Sequence, residues 1–158
     1  LPKFVLTNKP HAMERKEFLR SLGAGAAFAL TFPCLQGCSK DEPAGNIVEE
    51  PTGVDFTVDL TSQEAQPLAT NGGFILKNLV VIVKNLEGEY IAASQVCSHQ
   101  AYDQVRFVNQ NGGIFYCDVH GSRFAQNGSP LNQVDNSPAK PIKVYNTELN
   151  GSILRIFE

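Results

Sequence analysis

Cysteine and histidine are scarce in this sequence, which limits what the chain can build from them. Its 158 residues include four cysteines and three histidines, and there is no tryptophan. If a leader ending before Cys38 is removed, the cysteines left inside the chain are Cys97 and Cys117, and each lies near a histidine. No cysteine then remains for a structural disulfide, and a domain of about 120 residues can be stabilised by its core alone.

An excess of positive charge is also missing. Lysine and arginine number 13 against 16 aspartates and glutamates, which gives a net charge of −3. No basic cluster stands out, so we expect no nucleic-acid partner. Apolar residues make up 42% of the chain, enough for a buried core.

No apolar run is long enough to span a bilayer permanently, which takes about 20 residues. A charged segment from Met13 to Arg20 is followed by a short apolar run, Leu22–Phe32, and then by Leu35-Gln-Gly-Cys38. This order resembles the leader of bacterial lipoproteins, in which the peptide is cut before a lipidated cysteine. We therefore expect a leader at residues 13–38, an upstream extension at 1–12, export from the cytoplasm, and membrane anchoring through Cys38 on the periplasmic or outer side. A buried N-terminal helix remains the alternative.

Two further segments follow the predicted leader. Residues 39–53 are polar, acidic and contain proline and glycine, which predicts a flexible linker. Residues 54–158 form the predicted folded domain. We find no internal repeat and no convincing amphipathic helix after residue 54.

Strand patterns dominate the predicted domain. Residues 54–60 alternate apolar and polar side chains, and residues 79–83 and 153–157 are rich in β-branched or large apolar side chains. Asn-Gly sequences at 111–112 and 150–151 predict tight turns, the second of type I′. Short strands with frequent turns predict an all-β fold, a small antiparallel sandwich or barrel.

Two short pairs of residues carry the chemistry. Cys97-Ser-His99 follows the predicted strand 90–95, and Cys117-Asp-Val-His120 follows the predicted strand 114–116. Each pair places a thiolate close to an imidazole at a point where a strand enters a loop. Two such loop tips could face each other and enclose one metal site.

The C-x-H…C-x-x-H pattern resembles the Rieske [2Fe–2S] family, in which two cysteines hold one iron and two histidines the other. The resemblance continues through His120-Gly-Ser122 and through the proline-containing segment 137–145, and it covers about Val54 to Phe157. It implies a Rieske-type domain with two cluster-binding loops, a [2Fe–2S] cluster on Cys97, His99, Cys117 and His120, and a Ser122 hydroxyl that donates to a bridging sulfide. It also implies one-electron transfer with a redox partner protein or a quinol-type donor.

Three positions depart from the quinol-oxidising branch of that family. Tyr102 and Val119 occupy the places of two cysteines that form a disulfide there, and Phe124 occupies the place of a tyrosine that donates to a ligand sulfur. Fewer donors to sulfur stabilise the reduced state less. We expect a potential below the quinol-oxidising type, within the family range of roughly −150 to +300 mV.

Three alternatives remain open. A structural zinc site suits Cys₂His₂, although zinc usually prefers cysteine pairs and histidine pairs over mixed pairs. A Rieske-like domain that binds no cluster would act only as a binding module. A small Rieske subunit of a larger oxidoreductase would carry the same cluster beside a catalytic chain. No nucleophile–base pair lies elsewhere, so we expect an electron carrier or electron-transfer subunit with no catalytic residue of its own.

Overall fold

The computed structural model describes residues 45–158. The predicted extension (1–12), the leader (13–38) with Cys38, and residues 39–44 of the predicted linker lie outside this range. In the described part of the chain, no helix is both long enough and apolar enough to cross a membrane.

Antiparallel strands form the domain, which confirms the all-β prediction. They are β1 Asp55–Asp59, β2 Phe74–Lys77, β3 Val80–Lys84, β4 Tyr90–Ser94, β5 Val105–Val108, β6 Ile114–Cys117, β7 Arg123–Phe124, β8 Val144–Asn150 and β9 Ile153–Phe157. Six of them form one sheet in the order β1-β9-β8-β4-β3-β2, and β5-β6-β7 form a second, smaller sheet. Short 3₁₀ turns occur at Gln66–Ala69 and Gln110–Gly112.

Strand β3 joins the two halves of the hydrophobic core. Successive side chains of a strand point to opposite faces, and here both faces are buried. Val80 and Ile82 pack in a core that includes residues of β1 and β9, whereas Val81 and Val83 pack in a core with the small sheet. The second core includes Cys97 and Cys117, so the predicted ligands lie at the edge of well-packed structure.

The β8–β9 turn differs from the predicted type. Asn150 pairs with Ile153, so the two loop residues are Gly151 and Ser152. Gly151 has a φ of +61° and Ser152 does not adopt a positive φ. A positive φ at the first loop residue alone is the pattern of a type II′ turn, so the type I′ prediction was wrong. Asn150 remains in the strand ladder, which shifts the turn by one residue.

Strand β8 begins at Val144. Residues 141–143 lie before it, because Pro141 has no N–H to donate and the Ile142 N–H donates instead to the Gly128 carbonyl at 2.9 Å. The segment 128–142 is thereby held against the small sheet, beside the first loop. Ser98 Oγ in that loop donates to the Lys140 carbonyl at 2.9 Å.

Candidate metal centre

The structure brings the four predicted ligands together. Cys117 is the last residue of β6, and Cys97 follows β4 by a short connection. The rings of His99 and His120 lie 4.9 Å apart between centroids, nearly perpendicular. The thiols of Cys97 and Cys117 contact each other, and both cysteines are buried and free. A thiol pair therefore lies beside an imidazole pair.

The first loop, residues 97–102, is closed by two main-chain hydrogen bonds. The Ala101 N–H donates to the Cys97 carbonyl at 2.8 Å, and the Cys97 N–H donates to the Tyr102 carbonyl at 2.8 Å. Ala101 adopts a φ of +57°. An L-residue in this left-handed region costs roughly 1–2 kcal/mol, so the loop geometry is over-determined by its surroundings.

The second loop, residues 117–122, closes in the same way. The Gly121 N–H donates to the Cys117 carbonyl and the Cys117 N–H donates to the Ser122 carbonyl, both at 2.9 Å. Gly121 has a φ of +76°, which a glycine adopts without strain. The two loops thus share one backbone closure, with a left-handed residue four positions after each cysteine.

Contact between the two thiols shifts the pKa values of Cys97 and Cys117 in opposite directions. The Cys117 thiol, donating to the Cys97 sulfur, lowers the pKa of Cys97 to about 5, and main-chain N–H groups of His99 and Gln100 add to this effect. The same contact, together with burial, raises the pKa of Cys117. A cationic metal bound here would stabilise the thiolate form of both sulfurs.

Several buried polar atoms of the site have no hydrogen-bond partner. They are His99 Nδ1, His99 Nε2, His120 Nδ1 and Ser122 Oγ. Such atoms are expensive to bury unless something binds them. Two imidazole nitrogens beside two sulfurs are the donor set of a histidine-ligated [2Fe–2S] cluster, so the residues fit that group. Within residues 45–158, no three His, Cys, Asp or Glu side chains are arranged as the ligands of one ion.

Ser122 ends the second loop and lies close to Cys97. It is 4% exposed. Its hydroxyl is close enough to Cys97 to lower that pKa, but it meets hydrogen-bond geometry with no neighbour. A free hydroxyl in this position can donate to a sulfur atom. The predicted role of Ser122 stays a prediction.

The three departures from the quinol-oxidising branch also lie around the site. The Tyr102 ring contacts the His120 ring, with centroids 5.5 Å apart. Val119 packs against the second core, and Phe124 is buried in it. Apolar or aromatic side chains therefore lie near the predicted ligands at all three positions.

Asp135 was not predicted from the sequence. Its Oδ2 lies 3.4 Å from His99 Nε2, within ion-pair distance but without hydrogen-bond alignment. The histidine side chain is 7% exposed and the aspartate 62%. Asp135 lies in a polar segment, and only its left-handed backbone, with φ +55°, marks it as unusual. It places a negative charge at the outer nitrogen of one predicted ligand.

Comparison with known proteins gives a family. The model of the family described as "Rieske [2Fe-2S] domain" matches residues 55–146, more than half of the chain. The match contains both loops and Ser122. No curated protein matches this sequence.

Solved structures also resemble the chain. The cyanobacterial plasma membrane Rieske protein PetC3 from Synechocystis PCC 6803 shares 26% identity and a TM-score of 0.45, over 60% of this chain and 93% of that one. The ferredoxin of carbazole 1,9a-dioxygenase from Nocardioides aromaticivorans IC177 shares 22% identity and a TM-score of 0.44, over 56% of this chain and 86% of that one. The quaternary ammonium Rieske monooxygenase CntA, in complex with L-carnitine, shares 16% identity and a TM-score of 0.44, over 60% of this chain. The chain spans 30% of the length of that monooxygenase.

Proposed function

The chain belongs to the Rieske [2Fe–2S] domain family, so it binds a [2Fe–2S] cluster and transfers electrons through it, and we propose that it works as a one-electron carrier tethered to a membrane outside the bacterial cytoplasm. The observation that carries the electron-transfer role is the thiol pair beside an imidazole pair with both Nδ1 atoms buried and without partners. The cellular location rests on the leader-like sequence at residues 13–38.

We assign the cluster ligands as Cys97 and Cys117 for one iron and His99 and His120 for the other. The bound cluster supplies a centre that takes up and releases one electron. The two thiolates donate negative charge, whereas the neutral imidazoles add none. This set raises the potential above that of an all-cysteine site.

The protein residues around the ligands govern access. His99 is almost completely covered, with Asp135 beside its outer nitrogen, while His120 is half-buried next to Tyr102. Gln100 and Ala101 form a small rim beside these rings. We propose that a redox partner protein or a quinol-type donor docks there, because this rim adjoins the two imidazoles that would bind one of the irons.

Low-temperature EPR on the dithionite-reduced protein tests the function. We expect a rhombic signal with the average g of a histidine-ligated cluster, together with bound iron and acid-labile sulfide. A colourless zinc protein, or the signal of an all-cysteine ferredoxin, contradicts the proposal. A redox titration tests the potential, which we place below the quinol-oxidising type; a value near the top of the family range contradicts that prediction.

Export and tethering need a separate experiment. We expect the full chain, expressed in a bacterium, to fractionate with membranes and to incorporate labelled fatty acid, and Cys38→Ser to abolish both. Cys34→Ser is the matched control, because it removes a neighbouring cysteine and leaves the predicted cleavage site intact. Unlabelled wild-type protein in the soluble fraction contradicts the tether and leaves the cluster assignment unaffected. A catalytic chain that copurifies stoichiometrically would make the protein a subunit of a larger oxidoreductase.

A further inference from the structure

Residues 46–48 pair with residues 101–103 of the first loop as a short antiparallel bridge. The Val48 N–H donates to the Ala101 carbonyl at 2.9 Å, and the Asp103 N–H donates to the Asn46 carbonyl at 3.0 Å. Ile47 and Tyr102 face each other across this bridge. A segment within the predicted linker (39–53) therefore contacts the end of the loop that carries Cys97 and His99.

Main-chain groups and one carboxylate hold this segment in place. The Asn46 N–H donates to Asp103 Oδ1 at 2.8 Å, and Gln104 Nε2 donates to the same oxygen at 2.9 Å. The Asn46 N–H holds the pKa of Asp103 below its usual range. Ile47 is 70% exposed, so burial of its side chain does not provide the attachment.

The bridge connects directly to the ligands. Ala101 and Tyr102, which the bridge holds, are also the residues that close the first loop onto Cys97. The Tyr102 ring in turn contacts the His120 ring of the second loop. If residues 101–103 move, Cys97 loses hydrogen-bond partners and His120 loses a neighbour.

We propose that residues 46–48 form a strap that positions the first cluster loop, with Asp103 as its side-chain attachment. Cys97 and Cys117, the cysteines of the described range, are free, so no disulfide within it joins the two loops. The strap opposes opening of a loop that contains a strained residue, Ala101. This inference deepens the proposed function, because it assigns a positioning role to residues outside the ligand set.

Two variants weaken the strap at different atoms. Val48→Pro removes the N–H that donates to the Ala101 carbonyl, and Asp103→Ala removes the acceptor of the Asn46 N–H. The matched controls are Val48→Ala, which keeps the N–H, and Asp103→Asn, which keeps a carbonyl acceptor. Ile47→Ala controls for loss of the exposed side chain.

Hydrogen exchange of the intact protein, followed by mass spectrometry of peptides, reads the strap directly. We expect peptides covering 97–102 to exchange about fivefold faster in Val48→Pro and Asp103→Ala, equivalent to about 1 kcal/mol for one lost hydrogen bond. Peptides covering 117–122 serve as the internal reference and accelerate less, because none of their hydrogen bonds is made to the strap. The controls stay within about twofold of the wild type.

The cluster provides a second readout. We expect its visible absorbance to decay about fivefold faster under air in the two strap variants, with broader EPR lines, and Asp103→Asn to restore wild-type behaviour. Unchanged exchange at 97–102 in both strap variants overturns the strap. Equal acceleration at 97–102 and 117–122 overturns it as well, because the effect is then global. If the wild type contains no iron and sulfide, the proposed function fails, while the exchange comparison still decides on the strap.

Discussion

The two cluster loops have the same backbone closure and different support. Each loop turns back on its cysteine with hydrogen bonds from and to the residues four and five positions later. The second loop grows directly out of β6 and continues into β7, so the small sheet supports both of its ends. The first loop follows β4 through a connection and is held from outside, by residues 46–48 and by the Lys140 carbonyl.

This difference shows that ligand geometry and loop stability have separate origins. The shared backbone closure holds each cysteine, while the histidine lies two residues after Cys97 in one loop and three residues after Cys117 in the other. The stability of each loop comes from neighbours that the other lacks. The small sheet supports the second loop, whereas the strap and the segment 128–142 support the first. Substitutions at equivalent positions should therefore give equal effects on cluster binding and unequal effects on stability.

Removal of a ligand has the largest expected effect, and it should be equal in the two loops. We expect both Cys97→Ala and Cys117→Ala to purify without iron and acid-labile sulfide and to give no EPR signal, because each leaves one iron with a single thiolate. Asp118→Ala is the control, since Asp118 is exposed inside the second motif. Retention of a normal cluster by either cysteine variant contradicts the ligand assignment.

The next effect concerns the fifth position after each cysteine, Tyr102 in one loop and Ser122 in the other. Ser122→Ala should lower the midpoint potential by about 60 mV, from loss of a ~1.5 kcal/mol hydrogen bond to a charged acceptor. Tyr102→Phe should leave the potential unchanged, because the ring contact with His120 does not use the hydroxyl. Redox titration measures both. Equal shifts would contradict the role of Ser122.

A smaller effect, of opposite sign in the two loops, comes from the left-handed residues. Gly121→Ala should destabilise by about 1 kcal/mol, because alanine is strained at positive φ. Its Cβ would lie 3.6 Å from Tyr116 Oη, an ordinary contact, so no clash adds to this cost. Ala101→Gly should stabilise by about 0.5 kcal/mol, since relief of strain is partly offset by entropy of the unfolded chain. Urea unfolding followed through the cluster absorbance measures both, and shifts in the same direction contradict the comparison.

The smallest effect concerns charge beside the first loop. Asp135→Asn should raise the midpoint potential by about 20–40 mV, because removal of a solvent-screened negative charge near His99 favours the reduced state by less than ~1 kcal/mol. Asp118→Asn removes an exposed charge beside the second loop and should shift the potential less. In titrations at low and high salt, both shifts should become smaller as salt rises, since screening weakens the effect of exposed charges. A lower potential for Asp135→Asn contradicts this assignment.

The period of apolar side chains and the spacing of the Cys–His pairs predicted part of the fold and the site. Alternation in residues 54–60 and the apolar run 79–83 predicted β1 and β3, because side-chain burial follows the period of a strand. The two Cys–His pairs predicted a shared site, because each follows a strand and short loops project their side chains together.

Contacts made by main-chain atoms, and contacts between residues distant in sequence, leave no such pattern in the sequence. The strap contributes only its own backbone atoms to these hydrogen bonds, so Asn46 and Val48 carry no sequence signal for it. Asp135 is distant in sequence from His99 and lies in a polar segment that reads as an ordinary loop. A left-handed glycine is predictable at Gly121, whereas a left-handed Ala101 arises from tertiary constraints that override local preference.

The entry of the chain beside the first loop also sets the path that mechanical force takes through the domain. A pull on any segment preceding Gly45 loads the hydrogen bonds at Ala101 and Asp103 before it reaches β1. Immobilisation of the protein on an electrode through that side would stretch the redox end first. Linkage through the exposed Gly151–Ser152 turn would instead direct the mechanical load into the paired strands β8 and β9, so the predicted iron ligands would bear little of it.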